Sequence, residues 1–386
     1  MSSSSVVPVR PHTGQAAVSG QQIPGRASNI TLGVILICQL MVVLDATVVT
    51  IALPKIRYAL DFSPTSLSWV QNAYTLTFGG FLLLGARAGD LLGRRRTLIA
   101  GITLFTISSL VGGLATNEAW LLTARAAQGL GGAIAAPATL ALLTASFSEG
   151  AERLRALALY TAVSAGGASV GLVLGGIMTD WVSWRWALFI NVPVGIALVL
   201  LAPRYLPESE RHTGRFDLAG AITSTGGMGG LVYGFVRAAS AGWRDPGTIG
   251  AFVLGIGLLA TFVLVELRAE QPITPLRLLS SYERNASLVA RLLTTGGMFG
   301  MFFFLTLYLQ GALNYSPLRT GFAFVPMSAA LFVTVRAIPK LMPRFGARPI
   351  MTIGSTLALV GMVWLTRINA HSGFLADLVG PMVVFG

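Results

Sequence analysis

The sequence predicts an all-α membrane protein, a bundle of helices that crosses the bilayer many times. Three observations predict it. Of 386 residues, 54% are hydrophobic and 11% are charged, fewer than half the roughly 25% charged residues of an average soluble chain. A soluble fold of this size has too little polar surface to cover so much apolar area. The apolar residues also fall into runs of about 20, enough to cross a hydrocarbon core. These runs are continuous rather than alternating, which selects helices over the strands of an outer-membrane barrel.

Taken in order, residues 1–28 are rich in Ser, Gln and Pro without the apolar centre of a signal peptide, and read as a disordered tail. Apolar spans follow at about 31–54, 66–88, 97–116, 119–146, 156–180, 184–203, 216–237, 247–267, 285–311, 318–339 and 349–367, and a twelfth begins near 374. If the N-terminus is cytoplasmic, the tail and inner loops hold seventeen of the 27 Lys and Arg and the outer loops seven. Arg125, Arg291 and Arg336 fall within spans. The positive-inside rule selects this orientation. All seven tryptophans (Trp69, Trp120, Trp181, Trp184, Trp186, Trp243 and Trp364) then lie at outer span ends, where an amphipathic indole ring is favoured.

An internal repeat is legible in two short inner turns. Gly93 precedes Arg94, Arg95 and Arg96, and Gly346 lies between Arg344 and Arg348, 253 positions further on. The repeat divides the chain into a six-span bundle over 29–203, a linker with two extra spans over 204–284, and a partial C-terminal bundle over 285–386. Adding the same offset to the end of span 6 places a fourteenth span's end near 456, about 70 residues past Gly386, so the second half reads as incomplete and the chain as C-terminally truncated.

The function classes excluded are several. The +12 net charge is dispersed between apolar runs, without the basic patch of a nucleic-acid binder. Cys38 is alone and the histidines (His12, His212 and His371) are far apart, so neither a disulfide framework nor a metal site is expected. No phosphate-binding loop and no catalytic triad is present, and Gly129, Gly131 and Gly132 follow no strand. An enzyme is not expected, nor a cofactor.

The chemistry instead concentrates on charges inside spans. Asp45 is the one acidic residue deep within a predicted span. A charge there costs roughly 2.5–3.5 kcal/mol and needs a partner, a proton or water. Arg125 in span 4 lies at a similar depth, about 10–13 Å below the outer surface at 1.5 Å per residue. Either the two form a proton site, with Arg125 tuning the proton affinity of Asp45, or they form a static ion pair that fixes packing. Gly89, Asp90, Gly93, Arg94 and Arg95 form an inner turn that reads as a conformational latch or as an anchor of positive charge. Gly167, Gly171, Gly175 and Gly176 form a stripe in span 5 that lets a neighbouring helix approach closely.

Several stretches resemble the major facilitator superfamily, and within it the fourteen-span drug:proton antiporters. Leu44, Asp45, Thr47, Ala52, Leu53 and Pro54 look like that family's span 1 motif. Residues 85–96 look like its inner-loop motif, shifted so that Gly89 and Asp90 adjoin, and Arg125, Gln128 and Gly129 are similar to its proton-relay motif. Ser183 to Trp186 with Phe189, Asn191, Pro193 and Gly195 resemble its span 5–6 junction, and Tyr308 to Gln310 with Ser316, Pro317 and Gly321 resemble the start of its second half. One departure is Leu172, which stands where the span 5 motif carries proline.

The resemblance implies a major-facilitator-type bundle of two pseudo-repeated halves that exports small amphipathic compounds across the cytoplasmic membrane by alternating access. Asp45 would take protons, and Gln39, Thr47, Asn72, Tyr74 and Gln310 would line the cavity of a monomer. Uptake of a small metabolite, or a non-transporting membrane sensor, are the alternatives.

Overall fold

The structure, a computed structural model, describes residues 25–209, 217–268, 280–369 and 373–386; most of the predicted N-terminal tail lies outside them. The fold is an all-helical bundle. The first half comprises α1 (Gly25–Ala59), α2 (Trp69–Leu92), α3 (Arg94–Gly113), α4 (Glu118–Ser146), α5 (Ala151–Trp181), the short α6 (Trp186–Phe189) and α7 (Asn191–Tyr205). A hairpin of α8 (Leu218–Ala241) and α9 (Pro246–Arg268) follows. The second part contains α10 (Tyr282–Gly311), α11 (Pro317–Ala323), α12 (Val325–Phe345), α13 (Ala347–Leu365) and, after one wide turn, α14 (Val379–Phe385).

Two predicted spans differ from single helices. Span 6 is α6 plus α7, broken at Ile190, and span 10 is α11 plus α12, broken at Phe324. Pro193 and Pro326 follow those breaks within three residues, and proline removes a backbone donor from the helical ladder. Among the described residues nine helical stretches are long and apolar enough to cross a membrane. α2 and α8 fall outside that set: α2 carries Gln71, Asn72, Arg87 and Asp90, and the apolar run of α8 is diluted by Gly, Thr and Ser. These two helices pack on each other, and Gly80 of α2 abuts the Thr225 side chain of α8.

α4 is the crossing point of the first half and packs on both α2 and α3. Its small residues permit this. A Cβ on Gly131 would lie 2.6 Å from the Phe105 amide nitrogen, and one on Gly101 would lie 2.8 Å from the Gly131 carbonyl oxygen. Small-residue contacts of this kind substitute for hydrophobic driving force inside lipid. Around them Leu98, Ile102, Phe105 and Leu142 form a buried core toward the arginine-bearing ends, and Val48, Leu53, Leu121 and Leu188 form another toward the tryptophan-bearing ends.

A third core joins the halves. Ile51 and Leu172 pack with Met301, Phe302, Leu305 and Phe324, and the Gln310 side-chain amide donates to the Ile51 carbonyl at 2.9 Å. The two inner turns share one backbone form. Gly93 has φ 101° and Gly346 has φ 79°, and each donates its N–H to the carbonyl four residues earlier. Positive φ with extended ψ is strained for any side chain, so glycine closes both turns.

Candidate functional site

The site grows from residues that hydropathy alone makes anomalous. α1 buries Asp45 completely, at 0% exposure. α4 places Arg125 against it, with the guanidinium Nη1 2.6 Å from Asp45 Oδ2. The same nitrogen donates to Gln128 Oε1 at 2.6 Å, and Arg125 Nε donates to the Val70 carbonyl at 3.1 Å. The Tyr74 ring covers the cation, its centroid 4.4 Å from the guanidinium carbon, a favourable arrangement for a desolvated charge. Gln128 Nε2 donates to Asp45 Oδ1 at 2.6 Å and Asn191 Nδ2 donates to the same oxygen at 2.9 Å. Both amides also donate to the Ser109 hydroxyl.

One carboxylate is therefore held by one cation and two neutral amides from two helices: α4 supplies Arg125 and Gln128 and α7 supplies Asn191, while α3 supplies Ser109 behind them. The geometry is stable while Asp45 is ionised, because every donor points at it. A proton on Asp45 removes the charge that Arg125 faces and competes with the amide donors for the same oxygens. Arg125 retains Val70 and Gln128 as neutral acceptors in that event.

The other residues predicted for the site lie in several places. Thr47 donates to its own helix backbone at Val43 and Leu44, and packs against Gly171. Tyr74 is buried over Arg125. Gln39 bonds Ser164 at 2.9 Å and Tyr160 at 2.6 Å across the α1–α5 contact. Gln310 joins the halves as described. Asn72 lines a cleft between α2 and α10. Of these five, Thr47 and Tyr74 are buried and Gln39, Asn72 and Gln310 half-buried. Gly167, Gly171 and Gly175 face α1, and Gly175 is so close that a Cβ would sit 2.8 Å from the Val48 carbonyl oxygen. Gly176 turns the other way, toward Pro317 and Leu318 of α11.

The inner turn between α2 and α3 has partners that sequence reasoning missed. Glu208 Oε1 accepts from the Arg95 amide at 3.1 Å, and the Ser209 hydroxyl accepts from the Arg94 amide at 3.0 Å. Together they satisfy two of the first free N–H groups of α3. The Glu208 carboxylate also lies 3.6 Å from Arg95 Nε and 3.7 Å from Arg96 Nε. A Cβ on Gly93 would meet Glu208 at 2.6 Å, a second reason for glycine there. Arg94 reaches Asp90 at 3.5 Å and the Ala141 carbonyl at 3.3 Å, while Gly89 accepts from the Gly93 amide at 3.1 Å. The signal available in the sequence was a pair of acidic residues, Glu208 and Glu210, just past span 6 among Arg204, Arg211 and Arg215.

Two helical halves, repeated glycine-closed inner turns and a buried ion pair between spans 1 and 4 define a multi-pass membrane transporter rather than an enzyme. The model of the Major Facilitator Superfamily matches residues 35–386, and the chain belongs to that superfamily. It is 44% identical over 361 residues to a puromycin resistance protein of Streptomyces alboniger, covering 92% of this chain and 71% of that one. It is 38% identical over 378 residues to a cephamycin export protein of Amycolatopsis lactamdurans, covering 95% and 78%. Among solved structures, a peptide transporter matches with a TM-score of 0.60 at 15% identity, covering 92% of this chain and 78% of that one; that likeness concerns the fold alone.

Proposed function

We propose that the protein exports small amphipathic, antibiotic-like compounds across a bacterial cytoplasmic membrane in exchange for protons, acting as a monomer with its N-terminus in the cytoplasm. The observation that carries the reading is the full burial of Asp45 against Arg125, Gln128 and Asn191. An acid at that depth, with neutral donors on one oxygen and a cation on the other, is a group whose charge the surrounding helices are built to read, as coupling requires. The named activities of the relatives support export of drug-like molecules. The six-span first half, the α8–α9 pair as an insert, the partial second half, and the arginine-rich turn as a latch belong to the same proposal.

In this reading the halves meet at the tryptophan-bearing ends, through Gly176 with Pro317 and Gly321 with the Leu172 carbonyl, which corresponds to an inward-opening state. Everted membrane vesicles test the proposal. A fluorescent amphipathic dye should accumulate only while a proton gradient is imposed, and collapse of the gradient should release it. Accumulation that is indifferent to the gradient would overturn the coupling.

A further inference from the structure

Between the halves, α5 and α12 diverge below their contact at α11 and leave a groove of about 500 Å³. Its α5 wall includes Ala162, Gly166 and Ser169, and nothing lies within 4 Å of a Cβ placed on Gly166. Its α12 wall includes Ser328, Phe332 and Val335, spaced by three and four so that they share one helix face. Arg336 stands four residues beyond Phe332 on that same stripe, with its guanidinium carbon 5.1 Å from the ring centroid. The residue is exposed, and among the described residues no carboxylate pairs with it.

Depth makes this cation informative. α12 ends at Phe345, so Arg336 sits about 13 Å from the arginine-bearing end at 1.5 Å per residue. That is near the middle of a hydrocarbon core of about 30 Å. An unpaired arginine there is costly unless it faces a cavity or an anion. It is also too deep for a lipid headgroup, which stays at the surface. Asp45 and Arg125 neutralise each other, so among the described residues the uncompensated charge beside the groove is positive while the walls are apolar.

We infer that this groove binds an amphipathic carboxylate as transport substrate, its apolar body between α5 and α12 and its anionic group on Arg336. The inference rests on the export reading and names the chemical class that is exported. Equilibrium binding tests it without a gradient or turnover, so its failure is distinguishable from a failure of proton coupling. The probes are dansylglycine and its uncharged methyl ester, titrated against the protein in phosphatidylcholine nanodiscs and followed by dansyl fluorescence. Arg336→Gln should weaken dansylglycine about tenfold and leave the ester within about twofold, while Arg336→Lys keeps most of the carboxylate affinity. Equal effects on both probes, or no effect on either, would overturn the assignment. So would a loss of dansylglycine binding in phosphatidylglycerol discs that occurs only when Arg336 is present, which would make a lipid the occupant.

Discussion

Asn191→Ala isolates the neutral arm of the Asp45 cluster. The side chain donates to Asp45 Oδ1 at 2.9 Å and to Ser109 Oγ at 3.1 Å. Hydrogen bonds to a charged group contribute about 1.5–3 kcal/mol, taken here as about 2. Neutral polar contacts between membrane helices average about 0.6 kcal/mol. The substitution should therefore destabilise the protein by about 2 kcal/mol when Asp45 is ionised. In an Asp45→Asn background, where the acceptor carries no charge, the loss should fall to about 0.6 kcal/mol. The coupling of about 1.4 kcal/mol is a tenfold change in an equilibrium constant. Any packing loss from the shortened side chain appears in both backgrounds and cancels in the double-mutant cycle. The assay is reversible unfolding in mixed detergent–SDS micelles. Equal losses in the two backgrounds would refute the idea that Asn191 senses the charge on Asp45.

Three further outcomes follow from particular contacts. Gly175→Val should destabilise by about 1–3 kcal/mol because it forces α5 away from the Val48 backbone, whereas Gly166→Ala, which meets nothing, should leave the thermal midpoint in detergent unchanged. Glu208→Ala should cost about 1 kcal/mol by uncapping α3, and Glu208→Gln, which keeps an acceptor for the Arg95 amide, should cost less in the same measurement. Asp245 lies outside the spans, and the Arg237 hydrogen bond, followed by the Thr248 amide, holds its carboxyl below the ordinary value of 3.8. A depressed carboxyl stabilises above that ordinary value and loses the contribution as pH falls through the folded one. Limited proteolysis of the α8–α9 loop should accelerate as pH is lowered below the ordinary carboxyl value in the native protein. In Arg237→Gln the loop should be cut quickly throughout, without that pH dependence.

Much of the architecture was legible because lipid leaves a strong signal: each predicted span contains helix. The breaks at Ile190 and Phe324 were not, because the apolar run continues through them and hydropathy does not register a missing N–H donor. Asp45 and Arg125 stood out as charges within apolar runs, and equal depth alone indicated that they could meet. Their 2.6 Å contact is a tertiary fact. Asn191 was visible as one residue of the span 5–6 junction but not as a partner of Asp45, 146 positions away. Glu208 was hidden for a similar reason, since its bond to Arg95 spans 113 positions. Tyr74, expected from the sequence to line the cavity, is 6% exposed and has its ring on Arg125, a contact that its position in an apolar span does not signal.

The central claim is that Asp45 carries the coupled proton, and proton-driven dye export by Asp45→Asn tests it most directly. Native protein and variant are brought to equal amounts in everted vesicles, with dye binding measured alongside to show that the variant is inserted and folded. The account predicts that Asp45→Asn binds dye yet does not accumulate it when a proton gradient is imposed. Accumulation by the variant at the native rate, with the same dependence on the gradient, would contradict it.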